Sequence, residues 1–241
     1  MGHRATARNE PADSARRASG HRQGRRPPEG RPGRRRLSVD ERRDELISAA
    51  LELFSGRPPE AISIDDVADA AGASRALVYH YFGGKQELYL AALHSAAKQL
   101  SDLLKPPAEG TPIERLAVSL HRYFDFVEDH AAGFVALLRG GPAYRTGEVG
   151  GVIDGIRNLV MNRIVASIGV EEPGPVLRIT LRSWMASVET AGLDWLEHRD
   201  ISREELERLL VDHHVVLLQV AAGHDPKVAT LFDRLVGEHR G

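Results

Sequence analysis

The sequence contains no cysteine among its 241 residues, and aromatic side chains make up only 5% of it. The lack of cysteine excludes a disulfide framework and thiolate chemistry. No stretch approaches the roughly 18 uncharged apolar residues of a membrane span, and the polar, arginine-rich N-terminus lacks the apolar segment of a secretory signal. We therefore expect a cytoplasmic protein with enough apolar residues to form one or two packed domains.

Sequence motifs of common enzyme sites are also missing. The chain has no HExxH, P-loop, nucleophile elbow or dinucleotide-binding glycine pattern. His213 and His214 are conspicuous, but adjacent side chains on a helix point apart and are poorly placed to hold one metal ion. We predict no catalytic residues, no metal site and no cofactor. An enzyme is the alternative class, which turnover without DNA binding would favour.

Charge is distributed unevenly along the chain. Residues 1–36 hold 11 arginines against three acidic residues, whereas the rest of the chain holds 21 of the 32 basic and 31 of the 34 acidic residues. This arginine-rich tail lacks apolar periodicity, so we predict that it is disordered in isolation. Its Gly30-Arg31-Pro32 is similar to the core of an AT-hook, and such arms can enter a narrow minor groove. The alternative is a solvated tail.

Helix signals begin at Ser38 and recur to the end of the chain. Ser38–Glu41, Ser63–Asp66 and Ser202–Glu205 have the spacing of capping boxes, and Thr111-Pro112 supplies an N-cap followed by a proline. Apolar residues recur at helical spacing between these signals, and Gly140 to Gly151, with five glycines, is predicted to be a loop. No run shows strand alternation, so we predict an all-α fold.

Residues 72–82 are the most informative part of the sequence. They follow the short amphipathic run 64–71 with almost no room for a loop, and Gly72 suits a tight turn, so the two runs predict a helix-turn-helix. The full pattern is Ser63-Ile-x-x-Val-Ala-x-Ala-Ala-Gly72-Ala-Ser74-x-x-x-Val-Tyr79-His80-Tyr81-Phe82-x-x-Lys85-x-x-Leu88. It resembles the TetR family of bacterial transcriptional repressors.

The resemblance implies a helix-turn-helix domain over residues 37–84 and a helical effector-binding and dimerisation domain over residues 85–237. In such a motif the second helix enters the major groove. Arg75 could pair with a guanine edge, Ala76 and Leu77 could touch a thymine methyl, and His80 could reach a base or a phosphate. The predicted set of DNA-binding residues is Ser63, Ser74, Arg75, Ala76, Leu77, Tyr79, His80, Tyr81 and Lys85.

Within this set the tyrosines and Lys85 are implied to contact phosphates, and Val78 and Phe82 are predicted to be core. Taken singly, each tyrosine would more often be a half-buried core aromatic, and Arg75 would be a solvated surface charge. Their joint placement on a helix after a glycine turn favours the DNA-binding interpretation.

The resemblance also implies a homodimer and a small-molecule pocket in the second domain. The candidate pocket residues are His121, Tyr123, Phe124, Phe134, Trp184 and Glu189. The candidate dimer residues are Leu193, Trp195, Val215, Val216 and Leu218. For each of them a place in the monomer core is the alternative. The function implied is a sequence-specific regulator, a repressor released from a palindromic operator by a small molecule. A DNA-binding factor without an effector, architectural or protein-regulated, remains open.

Overall fold

The described part of the chain, residues 38–140 and 147–240 of a computed structural model, consists of ten helices. In chain order they are α1 (Val39–Gly56), α2 (Ile64–Ala70), α3 (Arg75–Tyr81), α4 (Lys85–Leu103), α5 (Pro112–Asp129), α6 (Ala131–Arg139), α7 (Gly147–Ser167), α8 (Pro175–His198), α9 (Arg203–Ala222) and α10 (Pro226–Arg240). Within these two ranges there is no strand, so the predicted all-α fold is confirmed. The arginine-rich tail and its AT-hook-like segment lie outside the described residues.

Reciprocal capping boxes start four of these helices. The N-cap residues are Ser38, Ser63, Thr111 and Ser202, and each accepts a hydrogen bond from the backbone of an acidic residue three positions later. Each carboxylate in turn accepts the N-cap N–H, as Asp66 does from Ser63 at 2.7 Å. The Ser63 hydroxyl and backbone N–H hold the pKa of Asp66 below its ordinary value. A cap of this kind is worth about 1 kcal/mol.

The first three helices and the start of α4 enclose a small apolar core. Its most buried side chains come from all four elements: Leu46, Ala50, Phe54, Ile62, Val67, Val78, Phe82 and Leu88. Val78 and Phe82 are 0% and 3% exposed, as predicted. Because α2 and α3 are only seven residues each, their stability comes from this packing rather than from helix propensity.

Helix α4 joins the helix-turn-helix to the remaining helices. The ring of Tyr89 on α4 meets the ring of Phe54 on α1 edge to face, with centroids 5.0 Å apart. Pro59 is buried and starts the short 3-10 helix Pro59–Ala61 that leads into α2. Helix α6 also approaches closely, since a Cβ added at Gly133 would lie 3.1 Å from the carbonyl oxygen of Phe54. Helix α1 is therefore braced against both α4 and α6.

Two further apolar clusters fill the second half. One unites α7 to α10 through residues that include Met161, Leu181, Leu218 and Leu231. The other unites α5, α8 and α9, and it buries the predicted α5 stripe at Leu120, Phe124 and Val127. Helix α7 begins at Gly147, so residues 147–151 are helical and not part of the predicted loop. Across residues 38–140 and 147–240, none of the helices combines the length and the apolar character needed to cross a membrane.

Candidate nucleic-acid interface and ligand cavity

The turn between α2 and α3 is fixed by backbone hydrogen bonds. Gly72 has a φ of +56°, which suits glycine, and the N–H of Ala73 donates to the carbonyl oxygen of Ala68 at 2.8 Å. The Ser74 hydroxyl then caps α3 by accepting from the N–H of Leu77 at 3.2 Å. With Val78 and Phe82 facing the core, α3 presents its opposite face to solvent.

That outer face carries most of the predicted DNA-binding side chains. Arg75, Ala76, Tyr79 and His80 are exposed, whereas Leu77 is half-buried. Tyr81 is also half-buried and packs against the apolar core formed by α1 to α4, with its ring 5.3 Å from that of His80. The structure therefore leaves Tyr81 less surface for DNA than Tyr79.

Arg75 is held in place by two neighbours. Its guanidinium lies 5.6 Å from the centre of the Tyr79 ring, and Nη1 lies 3.3 Å from Oδ2 of Asp65 on α2. A hydrogen bond with Tyr79 and, next, the charge of Asp65 raise the pKa of Arg75. The Arg75 and Asp65 side chains are 62% and 61% exposed, so water competes with the ion pair.

Four of the predicted residues meet in one shallow depression. Ser63, Arg75, Tyr79 and Lys85 line it together with the backbone around the 3-10 helix. The Lys85 ammonium donates to the carbonyl oxygen of Glu60 at 3.4 Å, which places its charge at the rim. Two cationic and two hydroxyl side chains converging on one notch can donate several hydrogen bonds to an anionic backbone.

The second half encloses a cavity of about 230 Å³. Its wall is mainly aliphatic and aromatic and comes from all helices from α4 to α10. Of the predicted pocket residues, Tyr123, Phe134, Trp184 and Glu189 line it. The structure brings these four together although Trp184 and Glu189 on α8 lie at least 50 residues beyond Tyr123 on α5 and Phe134 on α6.

His121 and Phe124 do not line this cavity, so their assignment to a pocket is corrected. His121 lies on the exposed side of α5, where its Nδ1 is 3.2 Å from Glu207 and its carbonyl oxygen accepts from Arg203. Phe124 is fully buried beside the cavity wall, with its ring 5.9 Å from that of Trp195. Tyr123 faces the cavity, and one helical step of about 100° turns Phe124 away from it.

A bidentate ion pair forms part of the wall. Arg157 Nε and Nη2 donate to Oε1 and Oε2 of Glu189 at 2.8 and 2.6 Å. The neighbouring Tyr123 side chain is half-buried at the cavity wall, and its removal from water, followed by the charge of Glu189, raises the pKa of its hydroxyl. It is therefore a neutral donor at physiological pH. His214 also lines the cavity, with its ring 4.6 Å from that of Trp184, and burial lowers its pKa to about 4.

Three arginines of the wall were missed by the sequence reasoning. Besides Arg157 they are Arg115 on α5 and Arg163 on α7. Arg163 donates to both the carbonyl and the hydroxyl oxygen of Ser101, the latter at 3.0 Å, and Arg115 donates to the carbonyl oxygen of Ser167 at 3.3 Å. An arginine among apolar helical positions was the available signal, because such a residue is rarely buried without a partner.

The predicted dimer residues are scattered rather than gathered on one face. Trp195 and Leu218 are 5% and 3% exposed within the monomer core, so their assignment was wrong. Val215 lines the cavity and Leu193 is half-buried. Only Val216 lies on a clearly exposed apolar stripe, which we call the α9 stripe: Leu209, Val216 and Val220, 46 to 58% exposed. Ile179 on α8 is also apolar and 58% exposed, and it was not among the predicted dimer residues.

Family models match both parts of the chain. The model of the bacterial regulatory proteins of the tetR family matches residues 46–92. The model of the tetracyclin repressor-like C-terminal domain matches residues 112–217.

Similar proteins agree with these matches. A crystal structure of a tetR-family transcriptional regulator from Streptomyces coelicolor is 42% identical, with a TM-score of 0.81 over 84% of this chain and 91% of that one. The transcriptional activator FasR of Mycolicibacterium smegmatis is 36% identical over 45% of this chain and 51% of its own length. The regulator BetI of Rhizobium meliloti is 32% identical over 39% and 49%. The match thus spans about half the length of these curated relatives.

Proposed function

The chain belongs to the TetR family of bacterial transcriptional regulators, and from that premise we propose that it represses transcription from a palindromic operator and is released by a small molecule. Members of this family are DNA-binding regulators and not enzymes. The observation that carries the proposal is the convergence of Ser63, Arg75, Tyr79 and Lys85 beside the exposed face of α3.

DNA recognition would place α3 in the major groove. Arg75 would leave Asp65 and pair with a guanine, while Ala76 and Leu77 touch a thymine methyl and His80 reaches the next base or phosphate. The phosphate contacts would come from the remaining predicted residues: Ser63, Ser74, Tyr79, Tyr81 and Lys85. Such contacts fix the register of the protein on the duplex but carry no base sequence.

The energetics favour transfer of Arg75 from protein to DNA. Its ion pair with Asp65 is weak because both side chains are exposed and water and salt screen it. A bidentate contact with a guanine discriminates by about 1–3 kcal/mol. Tyr79 keeps the guanidinium over α3 in the free protein, so less side-chain entropy is lost on binding.

Selection of bound duplexes from a random pool tests this proposal. The wild type should enrich two half-sites in inverted repeat, and Arg75→Ala should lose preference at one position of each half-site. Lys85→Ala is the matched comparison, because it should weaken binding to all sequences and reduce the salt slope by about 1. An unchanged base preference in Arg75→Ala would remove the base-reading role of that residue.

One recognition helix reads only a few base pairs, so tight binding calls for two copies related by a two-fold axis. We propose that the α9 stripe, with Ile179 of α8, is the homodimer interface. These side chains are apolar, lie outside the monomer core and include Val216 from the sequence prediction. The separation of the selected half-sites measures the distance between the two copies of α3.

Control by a ligand is proposed from the cavity. Filling it would favour an arrangement whose recognition helices no longer fit the groove spacing, with a coupling energy of about 1–3 kcal/mol. Ala97→Phe adds a ring at a lining position of α4, so it should lower operator affinity without an effector and abolish the further response to one. A full response in this variant would place the effector elsewhere. Removal of the regulator from a reporter strain distinguishes the two modes of regulation. Reporter expression should rise if the protein is a repressor and fall if it is an activator.

A further inference from the structure

We propose that the cavity binds an amphiphile with a slender apolar chain and an anionic head group, and that Arg115 and Arg163 bind the head. The proposal rests on the proposed ligand control, because it names the chemical class that the same cavity takes. The evidence for the proposal is the composition of the cavity wall and the hydrogen-bond partners of the arginines in that wall.

The apolar part of the ligand follows from the wall. Leucine, isoleucine, valine, alanine and phenylalanine side chains from seven helices supply most of it. The volume of about 230 Å³ lies below the roughly 300–1,000 Å³ that is usual for small-molecule pockets. A single aliphatic chain fits such a space better than a broad molecule with several fused rings.

The charge of the head group follows from the ionisable side chains of the wall. Three arginines but only one carboxylate, Glu189, line the cavity. Glu189 is occupied by both donors of Arg157. Within the part of the chain that the structure describes, Arg115 and Arg163 have no carboxylate within 4 Å. Neither arginine therefore forms a close ion pair with a described carboxylate, although the charge of Arg163 contributes to lowering the pKa of Asp102 on α4.

The hydrogen bonds of these two arginines leave donors for a ligand. They donate to neutral oxygens of Ser101 and Ser167, and the Nε of Arg115 is buried without a hydrogen-bond partner. A buried cation is costly unless an anion and further hydrogen bonds compensate it. A carboxylate or phosphate can accept two parallel guanidinium bonds, which a hydroxyl or an ammonium head cannot do.

The position of Arg163 links this head group to the DNA-binding part. Arg163 lies on α7 and fastens Ser101 near the end of α4, the helix whose Tyr89 packs on Phe54 of α1. A ligand anion that recruits Arg163 would compete with Ser101 for its donors. The proposed head group would therefore weaken the hydrogen bonds that join Arg163 on α7 to Ser101 on α4.

Calorimetry on the full chain without DNA tests the ligand class. Four probes share a twelve-carbon chain, each used below micelle formation: dodecanoate, dodecyl phosphate, dodecanol and dodecyltrimethylammonium. We expect both anions, or one of them, to bind at least about tenfold more tightly than the neutral and cationic probes. The two anions also distinguish a carboxylate from a phosphate head. Equal affinities, preference for the other two probes, or no binding of any probe would overturn the proposal.

Substitutions then test the two residues. Arg115→Met and Arg163→Met should each weaken the preferred anion by about tenfold while leaving dodecanol unchanged. Lys98→Met is the matched control, since it removes the same charge from an exposed position on α4. Wild-type affinity of both arginine variants for the anion would overturn their assignment. If a variant does not fold, the affinities of the wild type for the four probes still test whether the cavity prefers an anionic head group.

Operator binding separates this proposal from the one on which it rests. If dodecanol binds most tightly and releases a selected operator fragment, ligand control stands and the anionic head group is wrong. If dodecanoate binds through Arg163 but leaves operator affinity unchanged, the head-group assignment stands and ligand control by this class of molecule is wrong.

Discussion

The buried His214 should make the stability of the protein fall as the pH is lowered below neutrality. Its side chain is 6% exposed and lies against Trp184. Burial lowers its pKa from 6.5 to about 4, so the folded chain keeps the ring neutral across that interval. The unfolded chain takes up the proton first as the pH falls. The stability contributed by the neutral ring is therefore present above pH 6.5 and is lost as the pH falls towards 4.

The magnitude follows from the difference between the two pKa values. A separation of about 2.5 pH units corresponds to about 3 kcal/mol when the whole interval is crossed. Between pH 7 and pH 5 the loss from this one residue is about 2 kcal/mol. That is a considerable part of the 5–15 kcal/mol that stabilises a typical domain.

Urea unfolding at fixed protein concentration between pH 7 and pH 5 measures this loss. His214→Gln removes the titrating ring, so the free energy of unfolding of this variant should vary by about 2 kcal/mol less than that of the wild type. His213→Gln, at the exposed neighbouring position, is the control and should retain the wild-type slope. Equal pH slopes for His214→Gln and the wild type would refute the reasoning that burial keeps this ring neutral.

Three other predictions follow from packing, surface and charge. Phe124→Ala should lower the free energy of unfolding by about 3–5 kcal/mol in urea titrations, and a loss below 1 kcal/mol would contradict its place in the core. Val216→Lys should convert the proposed dimer to a monomer in sedimentation, whereas Val118→Lys, also at an exposed apolar position, should not. Deletion of residues 2–36 should reduce the salt slope of DNA binding by about 0.9 for each phosphate that the tail contacts, and an unchanged slope would make the tail a bystander.

Local signals in the sequence predicted the helices well. Capping boxes at Ser38, Ser63 and Ser202 depend on residues only three positions apart, and all three form as expected. The core positions Val78 and Phe82 follow from helical periodicity in the same way. The exposure of Arg75 on the outer face of α3 could also be predicted from nearby residues, because helical geometry fixes it once the inward-facing residues are known.

Assignments that depend on which helices meet were less successful. Trp195 and Leu218 lie on helices with apolar residues on more than one side, and periodicity does not say which side meets a partner subunit and which meets α5 or α10. On α5 the residue that lines the cavity is Tyr123, whereas His121, two residues earlier, lies at the surface and Phe124, one residue later, lies in the core. The arginines of the cavity wall come from α5 and α7, and no spacing within the sequence indicates that Arg115 on α5 and Arg163 on α7 line the same cavity.

Helix α9 contributes to two surfaces at once, because Val215 and Leu218 line the cavity while Val216 and Val220 lie on the α9 stripe. A ligand that shifts this helix by binding on one side changes the geometry on the other. Dimerisation and ligand binding would then be linked equilibria, each changing the apparent constant of the other. The ligand dose that gives half-maximal response would consequently depend on how many copies of the regulator a cell contains.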